Sequence, residues 1–483
     1  MGGQIAKFNN YPLSSELLKA IHLLNYETPT PVQQHVIPAV LAQKDIIVKS
    51  QTGSGKTAAF AIPICQLVNW DENKPQALVI TPTRELAVQV KEDMFNLGRY
   101  KRLKVSAVFG KAPFSAQEKE LKQKTHIVVG PPGRIIDHIE RGTFDTSHIK
   151  YLVIDEADEL LNMGFVEQLE TIIMSLPTTR VSILLSATMA ADIKVLCDKY
   201  MKAPLYVEVE EPNTTSDRIT QERYDADTKN KIQLLKDIMI VENPDSCMIF
   251  CNTKKMVDDI GKELADMKFA VRKMHGGMEQ ADRLSIMDAF KRGRFRYLVT
   301  TDVAARGIDI DGITLIINYD LPLDGQTYVH RIGRTGRMEN TGRAVSFVTP
   351  YENKFLHQIE QFTGKKMILK ERPEKETVAA LKQEFINSMN TSPKIKEIKG
   401  ARLGKEITKL HINAGKKTKM RPVDIVGTLC NIKGMSADDI GIINVMDVST
   451  YVEILNNKGE LVFQELQTTP IKGRLRKVSK DIF

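Results

Sequence analysis

The chain is 483 residues long, 42% apolar, with a net charge of +8. Such a length calls for two to four domains with ample core material, and no run of about 18 apolar residues marks a membrane span. The opening stretch MGGQIAKFNNYPLSS has no apolar signal core, and five scattered cysteines suit a reducing cytoplasm. Cys247 and Cys251, in the β-like run CMIFC, read as buried strand residues and not as metal ligands. The positive charge is uneven. Residues from Ala401 to Phe483 hold 14 Lys and Arg against 9 Asp and Glu, which points to a polyanionic partner there.

In chain order, short apolar strands alternate with longer amphipathic segments: DIIVKS, ALVITPT, KVSAVFG, THIVVG, YLVIDEAD and VSILLSAT. That alternation predicts an α/β unit with a mainly parallel sheet. A polar stretch with Pro212, about residues 207–220, reads as a linker. A second α/β series follows: SCMIFCNT, AVRKMHGG, FRYLVTTD, LIINYD and AVSFVTP. After about Gly364 the chain is charged, helical in part and then loose. From about Ile407 a small unit of strand, helix, strand, strand and a last strand predicts an α+β sandwich. The boundaries expected are 1–207, linker 208–218, 219–365, a charged linker or tail 366–404, and 405–483.

The run SQTGSGKTAAF lies between the first strand and a helical segment. Strand, glycine-rich turn, Lys-Thr and helix are the setting of a phosphate loop. Following Ser50, the backbone N–H groups of Gln51, Thr52, Gly53, Ser54 and Gly55 can surround a β-phosphate. Lys56 then reaches the β/γ oxygens of ATP, and the Thr57 hydroxyl reaches Mg²⁺. YLVIDEADELL delivers Asp155 and Glu156 at the end of an apolar strand, where open α/β sheets place ligands. One carboxylate suits Mg²⁺, and the next a water to be oriented or deprotonated. In the second series, HRIGRTGR spaces Arg331, Arg334 and Arg337 by three. That spacing predicts one face of a helix carrying guanidinium forks toward phosphoryl oxygens. ATP held between the two units would make hydrolysis depend on their closure.

These motifs, in this order, resemble the DEAD-box RNA helicases over about residues 5–365. The resemblance implies two RecA-like domains. YETPTPVQ resembles the adenine-reading Q motif (about 6–34), with Phe8 upstream, and the family resemblance extends the ATP site to Phe8, Tyr26, Gln33, Asp158 and, in TTDVAARGID, Gly307 and the ribose contact Asp309. The resemblance as a whole sets the further roles. It makes Glu156 the catalytic base, Asp155 the Mg²⁺ carboxylate, and Arg334 and Arg337 arginine fingers. Pro82, Thr83 and Arg84 resemble an RNA-backbone motif. Gly133 and Arg134, Gln280 and Arg283, and Thr301 beside Arg306 resemble further RNA contacts. Ser186, Thr188 and His330 resemble elements linking ATP state to unwinding. Where the family has T-P-G-R this chain has PPGR, so Pro131 offers neither hydroxyl nor N–H.

The last unit resembles the RNA-recognition-type domain that ends the DbpA/YxiN subfamily. Stacking aromatics are few: His411 and Ile412 hold the first-strand positions and Tyr451 lies near the third. Basic residues cluster instead at Lys416, Lys417, Lys419 and Arg421, and again at Lys472, Arg474, Arg476 and Lys477. The resemblance implies a cytoplasmic RNA-dependent ATPase that opens duplexes in large-subunit (23S) ribosomal RNA, on a hairpin and in pre-50S particles, without an obligate protein partner. An ATP-gated RNA clamp is the alternative. A DNA helicase is disfavoured by the Q motif and the DEAD box.

Overall fold

The computed structural model describes residues 7–51, 53–209, 218–305, 312–336, 341–390 and 400–481. Thr52, Arg306, Gly307, Asp309 and Arg337 lie outside the described residues.

The first domain is built on β1 (Ile46–Lys49), β2 (Ala77–Ile80), β3 (Val105–Ala107), β4 (Ile127–Gly130), β5 (Tyr151–Ile154), β6 (Val181–Ser186) and β7 (Leu205–Glu208). Their order across the sheet is β3-β4-β2-β5-β6-β1-β7, with every neighbouring pair parallel. Strands such as Ala77–Ile80 and Tyr151–Ile154 are buried at every position, as a sheet covered by helices on both faces requires. Because β5, β6 and β1 are adjacent and parallel, their C-terminal ends share one edge. The phosphate loop, the DEAD box and the SAT stretch leave from those ends. Segments more than 100 residues apart therefore meet through sheet topology alone.

The second domain repeats the plan with β8 (Ile219–Asp225), β9 (Cys247–Phe250), β10 (Val271–Met274), β11 (Tyr297–Thr300), β12 (Leu315–Asn318), β13 (Gly342–Val348) and β14 (Ile368–Lys370), ordered β10-β11-β9-β12-β13-β8-β14 and again parallel. Cys247 and Cys251 are buried in its core, as expected. The boundary at 365 needs correction. β14 extends this sheet, and the helix Lys375–Asn390 packs its Phe385 against Phe269, ring centroids 4.9 Å apart. The charged surface of that helix masked its apolar stripe in the sequence.

The third unit pairs β15 (Thr408–Ile412), β16 (Ile440–Val445), β17 (Thr450–Ile454) and β18 (Val478–Asp481) antiparallel in the order β16-β17-β15-β18. Leu410, Ile412, Val452 and Ile454 point inward onto the helix Pro422–Cys430 and a helix not foreseen, Gly459–Glu465. The unit does not stand apart. Leu403, Ile407 and Leu455 belong to the apolar core of the first domain. Arg99 donates through Nε and Nη2 to the two carboxylate oxygens of Glu453 at 3.3 and 3.0 Å, with both side chains buried. Tyr100 Oη donates to Glu406 at 3.0 Å, and Lys104 Nζ donates to the Ile443 carbonyl at 3.1 Å.

Candidate nucleotide and RNA sites

The phosphate loop turns on Gly53 and Gly55, at φ +85° and +88°. A Cβ on Gly55 would stand 2.7 Å from Gln33 Nε2, so both the left-handed backbone and the close approach demand glycine. Thr30 and Gln33 form a capping box at the start of the helix Pro31–Leu41. The same two side chains brace the loop: Thr30 Oγ1 donates to the Ser54 carbonyl at 2.8 Å and Gln33 Nε2 donates to the Gly55 carbonyl at 3.2 Å. Phe8 is buried in the domain core with its ring 6.3 Å from that of Tyr26. Phe8, expected upstream of the Q motif at the ATP site, is packed into that core. Lys56 is buried and donates to the Ser50 carbonyl at 2.8 Å, while Thr57 begins the helix beside it, half-buried. Ser54 Oγ donates to the Gln51 carbonyl at 2.9 Å.

Glu156 sits at φ 49°, ψ 53°, a left-handed position that a side-chain-bearing residue seldom takes. It caps the helix Ala157–Asn162, and its N–H donates to Asp155 Oδ1 at 3.0 Å. Burial, then the neighbouring Glu156 charge, lifts the Asp155 carboxyl to about 7. Burial raises Glu156 as well, against Arg334, Lys56 and His330. Arg334 and His330 come from the second domain, so the carboxylate edge of the first faces these two side chains of the second. His330 Nδ1 lies 2.6 Å from Glu159 Oε1. Among the described residues no group of three or more His, Cys, Asp or Glu could hold a metal by itself. Asp155 and the Thr57 hydroxyl are hard oxygen donors that fit Mg²⁺ completed by phosphate oxygens.

Asp158, expected at the nucleotide, is hydrogen-bonded to the SAT stretch. Its Oδ2 accepts the Thr188 N–H at 3.0 Å and the Thr188 hydroxyl at 3.2 Å. Ser186 Oγ donates to the Thr188 carbonyl at 2.6 Å, and the Ser186 carbonyl accepts the Ser50 N–H at 3.0 Å. DEAD box, SAT stretch and phosphate loop thus form one hydrogen-bonded chain.

Arg331 and Arg334 do not share a helix face. The helix Gly325–Ile332 ends before Arg334, capped at Gly333. Arg331 is 1% exposed and binds Asp302 at 2.8 Å, the Asp320 carbonyl at 2.6 Å and Asn252 at 2.8 Å, a strut of the second domain. Two glycines within seven residues stopped the helix, which the three-residue spacing alone concealed.

Gln280 and Arg283, expected on RNA, are buried across the domain boundary. Gln280 Nε2 and Arg283 Nη2 reach Glu85 Oε1 at 2.8 and 2.9 Å, and Arg84 Nη1 donates to Gln280 Oε1 at 3.2 Å. Sequence reasoning missed Glu85 although it lies inside PTREL. Its partners are at least 195 residues away, and no local pattern announces them. Pro82 and Thr83 leave the end of β2, where Thr83 is buried and caps the helix Arg84–Leu97 through the Leu86 N–H. Thr301 leaves the end of β11 on the corresponding edge of the second domain. Gly133 is exposed at the start of the helix Pro132–Glu140. Arg134 beside it donates to Gln117 at 3.4 Å, and Pro131 gives that helix no side-chain cap.

In the third unit, Lys416, Lys417 and Lys419 are exposed on one turn. Lys472 Nζ donates to the Lys419 carbonyl at 2.6 Å and pairs with Asp424 at 3.0 Å, so the two basic clusters form one surface. Arg421 also pairs with Asp424, at 3.2 Å. Tyr451 lies on the outer sheet face, its ring 5.0 Å from His411 and beneath Lys409.

Comparison with known proteins matches residues 30–196 to the DEAD/DEAH box helicases, 230–339 to the helicase conserved C-terminal domain and 409–480 to the DbpA RNA binding domain. The chain is 55% identical to the ATP-dependent RNA helicase DbpA of Bacillus subtilis over 476 residues, 99% of each chain. It is 42% identical to the DEAD-box ATP-dependent RNA helicase CshA of the same species, covering 74% of this chain and 73% of that one. Among solved structures, Dbp5 of S. cerevisiae bound to RNA and ADP BeF3 superposes with a TM-score of 0.70 at 30% identity, covering 78% of this chain and 99% of that one.

Proposed function

The chain belongs to the DEAD-box ATP-dependent RNA helicases, and within that activity we propose that it opens short duplexes of large-subunit (23S) ribosomal RNA during ribosome assembly, in the cytoplasm. The observation that carries this reading is the joined basic surface around Lys416, Lys417, Lys419 and Lys472, on a unit matching the DbpA RNA binding domain. Phosphate and shape contacts from such a surface suit a folded RNA better than base stacking does.

In this reading ATP lies between the domains. Lys56 would exchange the Ser50 carbonyl for β/γ oxygens, and Asp155 and Thr57 would hold Mg²⁺, which would neutralise phosphate charge there. Glu156, held at the edge by its left-handed backbone, accepts the proton of the attacking water. Arg334, with Arg337 beyond it, meets the phosphoryl charge from the second domain. Glu85, Gln280 and Arg283 latch the closed form. Asp158 and Thr188 carry the state of the loop to the RNA edge formed by Thr83, Arg84, Gly133, Arg134 and Thr301.

The test pairs the full chain with its Lys416→Glu, Lys417→Glu, Lys419→Glu variant. ATPase is titrated with a large-subunit rRNA fragment and with a random RNA of equal length. The wild type should reach half-activation at a lower concentration of the rRNA fragment, and the variant should lose that preference. Equal ratios for both proteins would remove the ribosomal assignment.

A further inference from the structure

The outer face of the third sheet is covered on one half only. Glu453 and the Ile443 carbonyl are taken by Arg99 and Lys104 of the first domain, whereas Lys409 and Tyr451 remain at the mouth of a cleft of about 730 Å³. Its far wall is the helix Arg84–Leu97, the edge strand β3 and the helix Phe114–Leu121. They contribute Lys91, Lys104, Lys119 and Phe95. From these observations we infer that the cleft is a second RNA site, taking a short single-stranded segment between the third unit and the first domain.

Three features identify the occupant. Five lysines and two glutamates line the cleft, so its charge favours a polyanion. An aromatic ring stands on each wall, Tyr451 and Phe95, and unpaired bases stack on such rings without regard to sequence. The lysines also crowd one another. Burial above all draws the Lys104 ammonium down to about 8, with Lys124 and Lys416 lowering it further against Glu120 and Glu453. Lys416 belongs to the basic turn already described, so a strand leaving that turn has a charged path into the cleft. Stacking on both rings needs bases free of pairing, which points to unpaired nucleotides and not to a duplex.

The inference rests on the chain being an RNA helicase and not on which RNA it serves. It is tested by photocrosslinking a 4-thiouridine oligonucleotide to the full chain, without nucleotide, followed by peptide mapping. Label is expected on the peptides carrying Tyr451 and Phe95. Lys91→Glu with Lys119→Glu should cut that label and weaken oligonucleotide binding by about tenfold, with a shallower salt dependence. Lys91→Arg with Lys119→Arg should restore both, separating charge from shape. Label confined to the peptides of Pro82–Arg84 and Arg134, or full label in the charge-reversed protein, would overturn the site. Loss of rRNA preference in the paired ATPase titration would leave this crosslink map unchanged, so the two readings fail separately.

Discussion

Glu156, the proposed base, occupies a backbone and surroundings that a carboxylate seldom takes. A left-handed backbone and partial burial are unfavourable for a carboxylate, and Lys56 and Arg334 offset the second. Glu156→Gln keeps the shape and removes the base. Hydrolysis should fall by roughly 10²-fold or more while ATP and RNA still bind, checked by single-turnover kinetics and equilibrium binding. Pro131 is the opposite case, a position where the chain lacks something. At φ −75°, ψ 152° it begins a helix without a side-chain acceptor. Threonine fits that backbone and would cap the helix, so Pro131→Thr should raise stability by about 1 kcal/mol in denaturant melts. The new hydroxyl also stands beside exposed Gly133, so RNA should bind the variant more tightly in the presence of an ATP analogue.

At the scale of elements, the strands were the most legible part of the sequence, because buried parallel strands are short apolar runs with little competition from other readings. The phosphate loop and DEAD box were legible because each is local. What stayed hidden joins distant elements: Glu85 with Gln280 and Arg283, Asp158 with Thr188, and the helix 375–390 on the second domain. The helix break after Ile332 was hidden by arginine spacing. Two element-level predictions follow from such pairings. Glu85→Ala leaves Arg283 facing an empty latch, and a buried pair broken on one side costs about 3–5 kcal/mol. Since the pair spans the domains, RNA-stimulated turnover should fall at least about 100-fold while thermal unfolding of the first domain stays near wild type. At the edge of the first sheet, the Lys104 N–H donates to His126 Nδ1 at 2.8 Å, which requires the neutral ring, its Nε2–H facing the Trp70 carbonyl at 3.1 Å. Burial, helped by Lys124 and Lys104, depresses His126 to about 4. A folded pKa below the unfolded one means stability present above about 6.5 and lost as pH falls toward 4. Between pH 7 and pH 5 that loss is about 2 kcal/mol. Urea melts should show it in the wild type and show less in His126→Asn.

For the whole molecule, the placement of the third unit decides what ATP-driven closure can act upon. If that unit hung on a free tether, RNA bound to it would sample many positions relative to the groove of the two catalytic domains. Here Leu403, Ile407 and Leu455 enter the first domain's core, each such buried side chain contributing about 1.5–3 kcal/mol. The Arg99–Glu453 pair fixes the angle through two parallel hydrogen bonds. An RNA held on the basic turn is therefore presented to the first domain at one orientation, and the second domain closes on whatever strand lies next to it. Arg99→Glu sets two buried carboxylates against each other and should release the unit. Single-pair energy transfer between exposed positions on the first and third units should then change from one narrow distance to a broad distribution. Adding Glu453→Arg should restore the narrow one. Released, the unit keeps its basic surface, so RNA preference in ATPase titrations should survive. Unwinding of a duplex placed beside an RNA held on that surface should drop, because fixed presentation is what would aim the closure. An Arg99→Glu protein that keeps both its narrow distance and its unwinding rate would mean that the docking contact plays no part in directing the helicase.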